Sequence, residues 1–181
     1  MIRLIPLSLF TTLLLPLTLA GQISLTQQDG TISGLGHAAS HDFPVVIETF
    51  EITVGPIDSA GSRTITVEIP SKAITTKSFM RDAHLHTSVM KVKKHPRITF
   101  VATTGAQLAP GTVTITGQLT LNGITNEQTV EVTISEQDGR FSAEGSLVII
   151  PTAFGLPLVG MGPMKVQDYV DLNFHLDIPG Q

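Results

Sequence analysis

Thr112-Val113-Thr114-Ile115-Thr116-Gly117-Gln118-Leu119-Thr120-Leu121-Asn122-Gly123 is the stretch that decides the fold. Val113, Ile115, Leu119 and Leu121 fall on one face of an extended chain, and Thr112, Thr114, Thr116, Gln118 and Thr120 on the other. Period two with β-branched residues marks a half-buried strand. Asn122-Gly123 then supplies the two positive-φ residues of a tight hairpin turn. The same grammar repeats outward. Val130, Val132 and Ile134 alternate with Glu131, Thr133 and Ser135, and Asp138-Gly139 gives a second hairpin turn. Phe141, Ala143, Leu147 and Ile149 follow in register, as do Val170, Leu172, Phe174, Leu176 and Ile178 near the end. Upstream, Phe50, Ile52 and Val54, then Ile65, Val67 and Ile69, repeat the alternation, and Asp29-Gly30 reads as a third hairpin. Runs near 31–37, 45–54, 63–70, 97–104, 112–121, 128–136, 140–150 and 168–178 predict about eight antiparallel strands. Such a meander either closes into a barrel or packs as a two-sheet sandwich.

Two segments break the alternation. Residues 77–90 carry a helix signal, with Ser78 as N-cap and Asp82 early in the run. Residues 150–165 are apolar yet crowded with Pro and Gly, so they form neither a strand nor a spanning helix. A loop of that composition is expected to tuck against the barrel or to close over a cavity mouth.

The ends and the composition bound the rest. Arg3 precedes an apolar run from Leu4 to Leu19 that ends Thr18-Leu19-Ala20, the form of a signal peptide (residues 1–20) cleaved near Ala20; the rival is an uncleaved anchor, which Pro6 and Pro16 disfavour. Residues 21–181 then form one domain, periplasmic or secreted. Without Arg3 that domain has ten basic residues against fifteen acidic ones, which argues against nucleic acid as a partner. There is no cysteine, so neither a disulfide nor an N-terminal lipid anchor on Cys is available.

Catalytic signatures are weak. Six histidines, His37, His41, His84, His86, His95 and His175, invite a metal reading, but a helical metal site wants i, i+4 spacing, and His84 and His86 are two apart and on a helix point about 200° apart. Gly34-Leu35-Gly36-His37-Ala38-Ala39 matches G-x-G-x-x-A, but more strand follows instead of a helix. Ser88-Val89-Met90-Lys91 lacks the partner motifs of an S-x-x-K enzyme. No catalytic residue, cofactor or metal is expected. One charge feature stands out: Lys72, Lys77, Arg81, Lys91, Lys93, Lys94 and Arg97 share a 26-residue segment whose only acid is Asp82. That segment is either a solvated face or a basic rim for an anionic group.

Arg81-Asp82-Ala83-His84-Leu85 followed by Pro96-Arg97-Ile98-Thr99-Phe100 resembles the R-D-x-H-L and P-x-I-T-F signature of the YceI-like family. Gly117-Gln118-Leu119-Thr120-Leu121-Asn122-Gly123-Ile124-Thr125 is similar to its G-x-L-T-I-x-G-V-T hairpin, and Phe141-Ser142-Ala143 and Phe154-Gly155-Leu156 to its F-x-A and F-G-I pieces. Val89, Met90 and Val92 stand where the family usually has aromatics. Ile149, Ile150 and Pro151 stand where an Arg is common, and the strand around Gly34–His37 diverges. The resemblance implies an all-β, lipocalin-like barrel of about eight antiparallel strands with one helical segment near 77–90. It also implies an apolar cavity for an isoprenoid-like or fatty amphiphile. The residues expected to meet that ligand are Phe79, Arg81, His84, Leu85, Met90, Phe100, Leu119, Phe141, Phe154, Leu156 and Phe174. An anionic membrane surface, through Lys91, Lys93 and Lys94, is the second expected partner. The alternatives are a barrel packed shut with no ligand and a metal-dependent enzyme using His41, His84 and His86.

Overall fold

The computed structural model describes residues 21–105 and 109–178. The expected signal peptide and its cleavage point lie outside the described residues. One antiparallel sheet contains eleven strands: β1 (Ile23–Thr26), β2 (Gly30–Ala38), β3 (Asp42–Ile47), β4 (Glu51–Val54), β5 (Ser62–Pro70), β6 (Ile74–Thr75), β7 (Arg97–Gly105), β8 (Gly111–Leu121), β9 (Ile124–Gln137), β10 (Arg140–Ile149) and β11 (Val166–Ile178). The count corrects the expected eight. The physical reason is that three long extended runs are broken midway, with the inward positions shifting by one residue at each break. β1 and β2 are one run interrupted at 27–29, β3 and β4 one run interrupted at 48–50, and β5 and β6 one run interrupted at Ser71–Ala73.

Taken as runs, the chain makes eight antiparallel passes. The first two pair through β1 with β4 and β2 with β3. The second and third pair through β4 with β5 and β3 with β6. Each later strand pairs with its successor, from β5 with β7 through to β10 with β11. Finally β11 pairs with β2, which curls the sheet back onto its first pass.

The hairpin chemistry is as expected at two of three places. Asn122 and Gly123 have φ of 53° and 76°, and Asp138 and Gly139 have 52° and 75°, the left-handed pairs a twisted two-residue turn requires. Asp29-Gly30 is a correction. Its flanking strands do not pair with each other, because β1 lies on β4 and β2 lies between β11 and β3. Asp29 instead accepts hydrogen bonds from the Thr26 N–H (2.8 Å) and hydroxyl (3.2 Å). Gly30 is small because a Cβ there would sit 2.1 Å from the His175 carbonyl oxygen.

Alternation sorts the two faces. Leu119, Leu121, Val130, Val132 and Ile134 are buried inside. Outside, Thr112 faces Thr133, Thr116 faces Thr129 and Thr120 faces Thr125, with hydroxyl oxygens 3.3, 3.0 and 2.8 Å apart. Such cross-strand pairs support the ladder at the solvent face.

Strand polarity puts the two longest connections at one end of the barrel. The helix α1 (Phe79–His84) continues as wider, π-type turns over Leu85–Val89 between β6 and β7. Ser78 occupies the N-cap position, but its side chain makes no cap bond. Lys77 and Lys91, both in the left-handed region (φ 57° and 48°), bracket this cap. Residues 150–165 cross the same end between β10 and β11, with short 3-10 turns at Pro151–Phe154 and Gly162–Met164.

Candidate functional site

The barrel is not packed shut. Its inner faces enclose an elongated space of about 380 Å³, within the usual range for small-molecule sites. The wall is aliphatic and aromatic, and among the described residues only Thr76, Arg81 and His84 bring polar side chains to it. All three belong to the helical cap or to the segment leading into it.

Much of the inner width comes from glycines. Phe43, Phe100 and Phe174 line the cavity, and each ring lies where a neighbouring glycine leaves space. A Cβ on Gly36 would meet the Phe43 ring at 2.4 Å, one on Gly117 would meet Phe100 at 2.7 Å, and one on Gly145 would meet Phe174 at 2.5 Å. The G-x-G-x-x-A string therefore has a structural role, with Gly36 seating an aromatic ring. Phe43 was not among the expected site residues. An aromatic paired across a ladder from a strand-interior glycine is the signal that finds it.

Asp82 holds the cap in place. Its carboxylate accepts from the Thr75 hydroxyl (2.6 Å), the Thr76 N–H (2.7 Å) and the Thr76 hydroxyl (2.5 Å). Burial, the largest single influence, pushes the Asp82 pKa up. The three hydrogen bonds and the nearby His86 outweigh it and hold the carboxyl below its ordinary value. Across the β6 edge, His86 Nε2 lies 2.7 Å from the Ile74 carbonyl oxygen.

With Asp82 turned toward β6, Arg81 has no carboxylate partner among the described residues. Its guanidinium carbon sits 4.5 Å from the centre of the Phe43 ring, a cation–π contact. Its Nη1 is buried without a hydrogen-bond acceptor. Leaving a charged donor so exposes the full desolvation penalty of the group, and the cavity beside it is the place from which an acceptor can come.

Arg81, His84, Leu85 and Met90 reach the cavity from the cap. Phe100, Leu119 and Phe174 reach it from the strands, and Leu156 from the 150–165 connection. Three expected contacts lie elsewhere. Phe79 is 88% exposed, because the first turn of α1 projects beyond the rim. Phe154 is buried under the hairpin at Asn122, whose amide donates to its carbonyl (3.0 Å), and does not line the cavity. Phe141 packs against the core opposite Ile178 at the far end, outside the wall.

The apolar connection divides its labour. Leu156 to Val159 line the cavity, whereas Met161 and Met164 stand out in solvent. Asp168 fastens its start by accepting from the Thr152 N–H (2.9 Å) and the Thr152 hydroxyl. On the outer face beside the same rim, His37 is sandwiched between Asp42 (Nδ1 to Oδ1, 2.7 Å) and Asp171 (Nε2 to Oδ2, 2.9 Å) and stacks on Tyr169 at 4.4 Å. Both ring nitrogens face carboxylates, an arrangement fully satisfied only when both carry protons. The bond to Asp42 raises the His37 pKa most; burial opposes it and Asp171 adds to the rise. His41, His84 and His86, the histidines of the alternative metal-enzyme reading, form no metal cluster. His41 Nδ1 lies 3.0 Å from the Ser40 hydroxyl, and no cluster of three metal-ligating side chains occurs among the described residues.

The architecture has known counterparts. Burkholderia cenocepacia BcnA superposes with a TM-score of 0.67 at 22% identity, over 82% of this chain and 95% of that one. A polyisoprenoid-binding domain from Saccharophagus degradans, implicated in plant cell wall breakdown, gives 0.66 at 13% identity, over 89% of this chain and all of that one. The Campylobacter jejuni YCEI protein gives 0.60 at 17% identity, over 76% of this chain and 85% of that one. At such identities the likeness is one of fold. No curated protein matches the chain. The family model for the YceI-like domain, however, runs from residue 20 to residue 178. That span takes in every strand of the barrel and both segments that cap it, and the chain therefore belongs to the YceI-like family.

Proposed function

We propose that the protein is a carrier that holds one amphiphile, isoprenoid-like or fatty, with its tail along the barrel axis and its polar head at Arg81. The carrying observation is the pairing of a hollow apolar interior with a single unsatisfied guanidinium nitrogen at its rim. An apolar tail of about ten carbons gains roughly 8 kcal/mol of gross transfer energy in such a space, from which association costs are subtracted. The likeness in fold to a polyisoprenoid-binding domain supports the same ligand class. The reading is of a binding protein rather than an enzyme, released to the periplasm or beyond after loss of residues 1–20. Native mass spectrometry of protein purified without detergent, followed by lipid extraction, tests it. An amphiphile at one per chain is expected. Protein that carries none, and that takes up neither a fluorescent fatty acid nor a long-chain isoprenoid on titration, would sink the proposal.

A further inference from the structure

Four large apolar side chains are more than half exposed among the described residues: Phe79 (88%), Met80 (82%), Met161 (87%) and Met164 (60%). Two belong to the helical cap and two to the 150–165 connection. Both caps meet at one rim. Arg81, next to Met80, lies over Phe43, and Phe43 pairs with Gly36 on β2. Two residues further along β2, Ala38 pairs with Val166, and the Ala39 N–H bonds the Lys165 carbonyl. The exposed groups therefore flank the cavity mouth from two sides.

The charge at this end is mostly of one sign, although Asp168, held by Thr152, and the two carboxylates that share His37 keep some negative charge there. Glu48 is taken by Lys77, Glu68 by Arg97, and Asp42 and Asp171 by His37. Asp82 is turned inward to Thr75 and Thr76. Lys72, Lys91, Lys93, Lys94 and Lys165 are exposed and have no ion pair among the described residues. An acidic domain thus presents a basic, apolar-tipped rim around its own opening.

We propose that this rim docks on an anionic lipid bilayer. Phe79, Met80, Met161 and Met164 enter the interface while the lysines meet the headgroups. The opening then faces the bilayer, and a guest passes between lipid and cavity without crossing water. Three flexible thioethers and one ring, split between two caps around an opening, suit a fluid interface better than a shaped protein surface. Each basic residue near an anionic surface strengthens partitioning about fivefold. The inference rests on the carrier reading and is tested separately from it.

The test is flotation with vesicles of phosphatidylcholine alone and of phosphatidylcholine mixed with phosphatidylglycerol, beside solution uptake of a fluorescent fatty acid. The wild type is expected to float with the mixed vesicles, and to do so less at high salt. Met161→Ser with Met164→Ser, and separately Lys91→Glu with Lys93→Glu and Lys94→Glu, should each reduce flotation at least fivefold while leaving solution uptake intact. Docking is overturned if the wild type takes up the probe but ignores mixed vesicles, or if both variants float like the wild type. It is also overturned if sedimentation shows a dimer that the Met→Ser pair dissociates, since the rim would then belong to a second copy. Failure of probe uptake with vesicle binding intact removes the carrier reading instead and leaves the docking surface standing.

Discussion

Ala143→Leu separates a hollow barrel from a filled one. Ala143 lies on β10 between Ile134 and Leu176, and its methyl group faces the cavity. Leucine adds three carbons at the end of the cavity away from the mouth. If these displace three methylenes of a guest tail, the loss is about 2.4 kcal/mol at roughly 0.8 kcal/mol per methylene. That weakens the dissociation constant about 50-fold. The ligand-free fold should respond in the opposite sense, because the added atoms enter empty space and gain contacts. Urea unfolding of lipid-free protein should therefore show unchanged or increased stability, while displacement of a fluorescent fatty acid shows the weaker binding. In a close-packed interior the same change forces strain of about 1–3 kcal/mol. A destabilised ligand-free variant, or one that binds the probe as tightly as before, would refute the reasoning.

Arg81→Met keeps an unbranched, flexible side chain, shorter by two atoms, and removes the donor. Binding of a carboxylate-headed amphiphile should weaken at least tenfold, since a hydrogen bond to a charged group contributes about 1.5–3 kcal/mol, whereas calorimetry should show little change for a long-chain hydrocarbon without a head. Asp82→Ala strips three hydrogen bonds and orphans the buried Thr76 N–H, so urea melts at pH 7 should show a loss of about 3 kcal/mol. Because the folded Asp82 pKa is depressed, its contribution is present above the ordinary carboxylate pKa of about 4 and fades as pH falls through the folded value; equal wild-type and variant gaps at pH 7 and pH 2 would contradict this. His37 runs the other way. Its raised pKa makes its contribution complete below the unfolded value of about 6.5 and lost as pH rises through the folded one, so thermal melts of the wild type, but not of His37→Gln, should drop across that interval.

The eight passes were legible because period two and the Asn-Gly and Asp-Gly turns are local features. Their interruptions were not. The inward positions are Phe43, Val45 and Ile47 before the break at 48–50 but Phe50, Ile52 and Val54 after it, and reading 45–54 as one strand passes over that one-residue shift. Asp29-Gly30 misled for a related reason: the dipeptide suits a hairpin, but here Gly30 answers a close backbone approach from β11. At the site, Arg81, His84, Leu85 and Met90 followed from a short motif on one cap. Phe79 did not, because residue type alone cannot tell a helix turn that faces the cavity from one that overhangs it. Phe43 was hidden because its position depends on the glycine across the ladder.

The breaks at 27–29, 48–50 and Ser71–Ala73 fall on three adjoining passes, and the most deeply buried side chains, Phe50 and Ser71, lie within them. Together they form a crease down one flank of the barrel. Other bonds seal that line: the Glu48 N–H donates to the Ala73 carbonyl (2.9 Å), the Asp177 N–H to the Asp29 carbonyl (2.7 Å), and the Ser71 N–H and hydroxyl to the Pro96 and His95 carbonyls (2.9 and 2.6 Å), so the shell bends there without losing closure.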